Sequence, residues 1–139
     1  MVVTNQSGVA RGLFNEEFVG TVHDRINELL ATWDARIDRF YYCPHHPTEG
    51  RGSYLASCEC RKPKTGMLMR AADELAIDLA ASYLIGDTLD DIVTAANAGV
   101  NGILVKTGHG KNLALPESAV YHAHHVLDAV RWITGERKR

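Results

Sequence analysis

The chain has little of what marks a membrane protein, an exported protein or a nucleic-acid-binding protein. Its 139 residues contain no apolar run long enough to span a bilayer. The first residues, MVVTNQSGVARG, have no basic segment followed by an apolar stretch, so no secretory signal is predicted. The formal net charge of -2 leaves no basic excess for binding nucleic acid or an anionic membrane. We therefore expect a cytoplasmic monomer whose partner is a small molecule.

Cysteine is also scarce, and all three cysteines fall in one long loop, residues 43–63. In a reducing compartment this favours metal ligation or free thiols over disulfides. Cys43 and His45 are followed by Cys58 and Cys60, and His46 is an alternative to His45. Three thiolates and one imidazole satisfy tetrahedral Zn²⁺ and leave no open position, so the pattern predicts a structural zinc loop. Scattered free thiols are the alternative interpretation.

Short apolar segments alternate with segments of helical periodicity along the chain. Strands are predicted at Met1 to Thr4, Ile37 to Tyr42, Ser82 to Gly86, Gly102 to Val105 and Val120 to Tyr121. Helices are predicted after Asn15, over Gly66 to Ile77, from Leu89 to Gly99 and from Val126 to Ile133. In the helix after Asn15, the residues expected to face the core are Phe18, Val22, Ile26, Leu29, Leu30 and Trp33. The alternation predicts one α/β domain, residues 1–139, with helices on both faces of a mostly parallel sheet.

Polar clusters follow the predicted strands, where ligands of parallel sheets bind. The candidates are Thr4, Asn5, Gln6 and Ser7 after the first strand, Arg61 and Lys62 after the loop, and Asp87 and Thr88 after strand SYLIG. A hydroxyl with backbone N–H groups can hold a phosphate, a basic pair can neutralise it, and a carboxylate suits Mg²⁺. The plainer interpretations are a polar turn, a solvated basic pair and a helix cap. Asp90 and Asp91 are expected only to decorate the first helical turn.

Together these motifs resemble the histidinol-phosphatase-like branch of the haloacid-dehalogenase-like superfamily. VVTNQSGVARG, YYCPHHP, CECRKPKTGM and LIGDTLDD stand in the order and spacing of that branch, and its heptose bisphosphate phosphatases are the most similar. The resemblance implies a Rossmann-like three-layer sandwich and a magnesium-dependent phosphatase acting on a sugar phosphate. D-glycero-D-manno-heptose 1,7-bisphosphate, converted to the 1-phosphate, and histidinol phosphate are both candidate substrates.

The resemblance also implies roles for the candidate residues. Thr4 and Lys62 would stabilise the phosphoryl group during transfer, and Asp87 would hold Mg²⁺. Substrate would be bound by Thr4, Asn5, Gln6, Ser7, Arg61, Lys62 and Thr88. The zinc ligands would be Cys43, His45, Cys58 and Cys60.

One motif of the family is missing from these residues. The family has an Asp-x-Asp-Gly motif after its first strand, and this sequence contains no Asp-x-Asp. Its aspartates would supply the nucleophile, the general acid and magnesium ligands. We therefore expect a sandwich without its first, central strand, no turnover by this chain alone, and truncation at an internal methionine. A natural non-catalytic remnant that binds phosphate and zinc is the alternative.

Overall fold

The computed structural model describes residues 1–136 and divides them into two compact units. The first unit comprises residues 1–61 and 66–68, and the second comprises residues 62–65 and 69–136. Each unit is built from parallel strands and helices, which confirms the predicted α/β class. The single domain over residues 1–139, whose last three residues lie outside the described range, stays a prediction. So does the sandwich that lacks its central strand.

The first unit is a parallel strand pair with helices that follow its first strand. Its elements are β1 (Val2–Asn5), α1 (Ser7–Ala10), α2 (Glu16–Ala31), β2 (Phe40–Cys43) and a 3-10 turn (Gly52–Tyr54). β1 pairs in parallel with β2. α2 begins as the sequence predicts, because the Asn15 side chain accepts a hydrogen bond from the Phe18 N–H at 2.9 Å. The strand pairing therefore places the polar residues after β1 beside the start of the cysteine loop.

The face that α2 turns inward is not the predicted one. Val19 is buried, the His23 ring stacks on Phe40 with centroids 4.2 Å apart, and Asn27 exchanges hydrogen bonds with the Ile37 backbone. The predicted core residues that are instead exposed are Phe18, Val22, Ile26, Leu29 and Trp33. The prediction was wrong because it weighed apolar character alone. A stacked imidazole and a bonded amide occupy the inward face instead.

The second unit contains a three-stranded parallel sheet. After α3 (Gly66–Leu75), which begins in the first unit, its elements are β3 (Tyr83–Gly86), α4 (Leu89–Ala98), β4 (Asn101–Val105), a 3-10 turn (Gly108–Asn112), β5 (Ala119–Ala123) and α5 (Val126–Thr134). The strand order is β3-β4-β5, and both pairings are parallel. A buried cluster forms its core: Ile103, Val105, Ala123 and Ala129.

The boundaries of these elements lie close to the predicted ones. α4 ends where expected, with Gly99 in the left-handed conformation at φ 70°. α3 ends two residues early because Ala76 takes the same conformation at φ 51°. Within residues 1–136, no helix has both the length and the apolar character needed to cross a membrane.

Candidate functional site

The first unit brings the four predicted zinc ligands together. Their ligand atoms all lie within 4.8 Å of one another. Cys58 Sγ lies 3.4 Å from Cys43 Sγ and 3.2 Å from Cys60 Sγ, and His45 Nδ1 lies 3.5 Å from Cys60 Sγ. Bonds of about 2.3 Å to a tetrahedral zinc ion would separate two sulfur atoms by about 3.8 Å. The donor set therefore has the size and chemistry of a closed zinc site.

Backbone hydrogen bonds bring two segments of the loop together. Cys43 is the buried last residue of β2, and the chain returns to it through a bridge between His46 and Leu55. The His46 N–H donates to the Tyr54 carbonyl at 3.0 Å, and the Ala56 N–H donates to the His46 carbonyl at 3.2 Å. This pairing brings the segment that contains Cys58 back to Cys43, at the end of β2.

The structure distinguishes the two adjacent histidines. His45 joins the cysteines, whereas His46 Nδ1 accepts hydrogen bonds from the N–H groups of Thr48 and Glu49 at 3.3 and 3.0 Å. His46 thus stabilises a turn, and His45 is the one available to a metal.

The three thiols differ in acidity. Burial raises the pKa of Cys43, and burial together with hydrogen bonds to the other two cysteines raises the pKa of Cys60. Burial opposes ionisation of Cys58 as well, but hydrogen bonds with Cys60 and Cys43 leave its pKa lowered. Three thiolates this close need a cation, so metal binding would release protons from Cys43 and Cys60.

Four of the five candidate phosphate-binding residues of the first unit form two side-chain pairs. Gln6 directly follows β1, and its side-chain amide donates to Oγ1 of Thr4, inside β1, at 3.2 Å. The Arg61 guanidinium donates to Ser7 Oγ at 2.9 Å and to the His45 carbonyl at 3.3 Å. Arg61 therefore connects the turn after β1 to a residue of the cysteine and histidine cluster.

In the second unit, Lys62 forms a buried ion pair with Asp91, for which the sequence predicts no role beyond the first helical turn. Its Nζ lies 2.5 Å from Asp91 Oδ1, and the two side chains are 13% and 6% exposed. Asp91 Oδ2 accepts from the Thr88 N–H at 3.0 Å and from the Thr88 hydroxyl at 2.6 Å. Asp91 therefore binds both Lys62 and Thr88, contrary to the expectation that it only occupies the first helical turn. The spacing of Thr88 and Asp91, typical of a capping box, was the signal that could have identified it.

Asp87 lies directly after β3, as predicted. Its Oδ2 accepts a hydrogen bond from the His109 N–H at 2.9 Å, in the 3-10 turn that follows β4. That contact orients the carboxylate at the carboxyl ends of two neighbouring parallel strands, the position where such sheets bind ligands. The carboxylate is a hard oxygen donor of the kind that Mg²⁺ prefers.

Gly86 provides the space that Asp91 occupies. A Cβ atom at Gly86 would overlap the Asp91 side chain, whereas a Cβ at Gly20, inside α2, would meet nothing within 4 Å. We expect Gly86→Ala to destabilise the protein by about 1–3 kcal/mol. Gly20→Ala should stabilise it by up to about 1 kcal/mol. Urea unfolding of both variants measures the difference, and a neutral Gly86→Ala would contradict this packing.

Comparisons with known proteins agree with this fold. A family model described as HAD-hydrolase-like matches residues 59–133. The chain is 40% identical over 139 residues to a D-glycero-β-D-manno-heptose-1,7-bisphosphate 7-phosphatase from Photorhabdus laumondii, covering 99% of this chain and 74% of that protein. It is 48% identical over 110 residues to the Escherichia coli K12 protein of the same name, covering 78% of this chain and 57% of that one.

A solved structure gives the same result. The crystal structure of D,D-heptose 1,7-bisphosphate phosphatase from B. bronchiseptica, complexed with magnesium and phosphate, superposes with a TM-score of 0.82 at 34% identity. The match covers 98% of this chain and 74% of that one. These matches identify the chain as a hydrolase of the HAD-like class. Within that class, the chain belongs to the family of D-glycero-β-D-manno-heptose-1,7-bisphosphate 7-phosphatases.

Proposed function

We propose that this chain carries the phosphate-handling and zinc-binding parts of a phosphatase that hydrolyses D-glycero-β-D-manno-heptose 1,7-bisphosphate to the 1-phosphate. The observation that carries the proposal is the buried ion pair of Lys62 and Asp91. Lys62 follows Cys60, the last residue of the cysteine and histidine cluster, by two residues. A lysine ammonium held in place by a carboxylate can neutralise the charge of a phosphoryl group without reorganising. The similarity to relatives named for this reaction supplies the substrate.

In the first unit, the proposal assigns phosphate recognition to residues at the carboxyl end of β1 and directly beyond it. Thr4 would donate its hydroxyl to the phosphoryl oxygens, with Asn5 and Gln6 contacting the substrate. Arg61, bonded to Ser7, presents a planar guanidinium suited to phosphate recognition. These residues would bind and orient the substrate before phosphoryl transfer.

In the second unit, Lys62 would bind the phosphoryl group, Thr88 would contact the substrate and Asp87 would hold magnesium. Magnesium, when bound, would supply positive charge that stabilises the phosphate oxygens. The Thr88 side chain caps α4 through Asp91, so it is oriented before any substrate arrives. The relative with magnesium and phosphate bound supports this assignment of cofactor.

The cysteine and histidine cluster is proposed to hold a structural zinc ion. Four protein ligands complete a tetrahedral site and leave no position for substrate. The metal would therefore fix the loop that ends in Arg61 and leave the chemistry to other residues.

The test is phosphate release by two proteins in the presence of magnesium. We expect this chain alone to give no turnover above background, because the nucleophile that would form an aspartyl phosphate belongs to an Asp-x-Asp motif that these residues do not contain. A version extended at the N-terminus with a strand and Asp-x-Asp-Gly should release phosphate from the heptose bisphosphate. It should do so faster than from histidinol phosphate.

Other results would change the assignment. Turnover by this chain alone would contradict the proposed dependence on the Asp-x-Asp motif. A faster reaction with histidinol phosphate would overturn the substrate. Binding of sugar phosphate by the extended protein without turnover, measured by calorimetry, would favour a non-catalytic binding module.

A further inference from the structure

A single carboxylate in the first unit accepts hydrogen bonds from two tyrosines. Glu16 Oε2 accepts from the Tyr42 hydroxyl at 2.6 Å, and Glu16 Oε1 accepts from the Tyr54 hydroxyl at 2.7 Å. Glu16 is the first residue of α2, where the helix dipole favours a negative charge. Both oxygens of this carboxylate are therefore used, one by each phenol.

One tyrosine lies directly before the cysteine loop, and the other lies within it. Tyr42 directly precedes Cys43 on β2, and Tyr54 ends the 3-10 turn between His45 and Cys58. The Tyr54 ring also lies beside the His45 ring, with centroids 6.3 Å apart and planes tilted by 47°. Glu16 thus connects helix α2 to the strand that enters the loop and to the 3-10 turn within it, and through Tyr54 to the imidazole of a proposed zinc ligand.

These hydrogen bonds are of the strong, charge-assisted kind. The hydrogen bonds from Tyr42 and Tyr54 lower the pKa of Glu16, and the bond to Glu16 raises the pKa of Tyr42 to about 12. At neutral pH the carboxylate is ionised and the phenols keep their protons. Bonds between a neutral donor and an ionised acceptor are shorter and roughly twice as strong as neutral pairs.

Apolar burial does not order this loop. Every residue from 44 to 60 is exposed or only partly buried. A loop of this length without a core needs other restraints, and polar contacts and metal ligation are the ones that the chain offers here.

We propose that Glu16 is a positioning residue for the zinc site, holding Tyr42 and Tyr54 so that the loop presents His45 to the metal with the three cysteines. We call Glu16, Tyr42 and Tyr54 the Glu16 clamp. The inference rests on the proposed zinc site and adds to it the device that assembles the site. In this proposal α2, which contains none of the metal ligands, positions the loop that contains them.

The test compares two neighbouring glutamates in the zinc-loaded protein. Glu16→Gln removes the charge that holds both phenols, whereas Glu17→Gln removes an exposed charge from the same helical turn. Zinc transfer to a chromogenic chelator is measured for each. We expect release on the order of tenfold faster in Glu16→Gln, the scale seen when a group supporting a metal ligand is lost. Release from Glu17→Gln should stay at the wild-type rate.

A third variant separates the hydrogen bond from the ring contact. Tyr54→Phe keeps a ring beside His45 and removes only the hydroxyl, so it should also accelerate release. Because the two residues share one interaction, Tyr54→Phe should accelerate release less in the Glu16→Gln background than alone. Wild-type release rates in both Glu16→Gln and Tyr54→Phe would overturn the proposal.

A zinc analysis of the wild-type protein keeps the two proposals distinguishable. If the protein holds zinc and Glu16→Gln releases it normally, the Glu16 clamp fails and the zinc site stands. If the wild-type protein holds no zinc, the zinc site fails, and amide hydrogen exchange at His46 and Ala56 tests the clamp by itself. Faster exchange at both amides in Glu16→Gln would support the clamp, and unchanged exchange would refute it.

Discussion

Replacing His45 with alanine is expected to cost the protein its zinc, whereas replacing His46 with alanine is not. His45 Nδ1 lies among the three sulfur atoms, while His46 Nδ1 accepts two backbone N–H groups of a turn. Loss of a direct ligand should weaken binding by more than the roughly 10–100-fold that loss of a group behind a ligand costs. Metal analysis after dialysis should find about one zinc per chain in the wild type and His46→Ala, and almost none in His45→Ala.

Zinc loss should also reduce stability severely. Structural zinc in small domains binds with about 10–16 kcal/mol of apparent free energy at neutral pH, which is comparable to the whole stability of a typical domain. Residues 44–60 bury no side chain fully, so no apolar core holds this loop once the metal is gone, and only its polar contacts are left. We expect His45→Ala, or the wild type treated with a strong chelator, to lose its cooperative thermal transition or to melt far lower.

The adjacent histidines make the control unusually close. Both substitutions remove an imidazole from the same turn, so a general disturbance of the loop would affect them alike. His46→Ala should cost only the hydrogen bonds of its turn, about 1 kcal/mol. A metal-free protein that unfolds at the wild-type temperature would refute the structural role, and zinc loss in His46→Ala would refute the choice of ligand.

The cluster of three cysteines and one histidine could be predicted because its signal is local and chemically rare. Cysteine is scarce in the chain, its three copies fall within one loop, and His45 lies two residues from the first of them. Only the choice between His45 and His46 needed the structure, because they lie two and three residues after Cys43, a difference too small to decide between them. The order of strands and helices was predictable for a similar reason, because the spacing of apolar residues is a local property of the sequence.

The Glu16 clamp could not be predicted, because its partners are distant in sequence. Tyr42 and Tyr54 lie 26 and 38 residues from Glu16. A glutamate in the first helical turn is already explained by the helix dipole, so nothing in the sequence indicated a second task. The inward face of α2 was missed for a related reason. Its His23 and Asn27 are satisfied by Phe40 and Ile37, which belong to another part of the chain.

The role of Asp91 could not be predicted from the sequence, because its place in the first turn of α4 is already explained by the helix dipole. Acidic residues in a first turn interact favourably with the dipole whether exposed or not, and Asp90 fits that description. What separates Asp91 from Asp90 is burial against Lys62, a residue 29 positions away. The difference between the two aspartates therefore lies in tertiary packing, and it can be measured.

Asp91→Asn should be strongly destabilising, while Asp90→Asn should be nearly neutral. An asparagine in place of Asp91 would keep the size of the side chain but take the Asp91 carboxylate away from the Lys62 ammonium, which is 13% exposed. Removing one partner of a buried ion pair costs about 3–5 kcal/mol, because the remaining charge stays desolvated. Exposed surface substitutions usually stay within about 0.5 kcal/mol. Urea unfolding of the two variants, which differ from wild type by the same charge on the same helix, measures the contrast.

A double-mutant cycle identifies the cause of that loss. Asp91→Asn is expected to be destabilising because it removes the carboxylate from the buried Lys62 ammonium. In a Lys62→Met background there is no ammonium, so the same substitution should lower the free energy of unfolding much less. The hydrogen bonds that Thr88 donates to Asp91 are affected alike in both backgrounds and cancel in the comparison. An equal cost in both backgrounds would mean that Asp91 acts through its cap on α4 alone. In that case Lys62 would not be held ready for a phosphoryl group by this carboxylate, and the observation that supports the proposed phosphatase would fail with it.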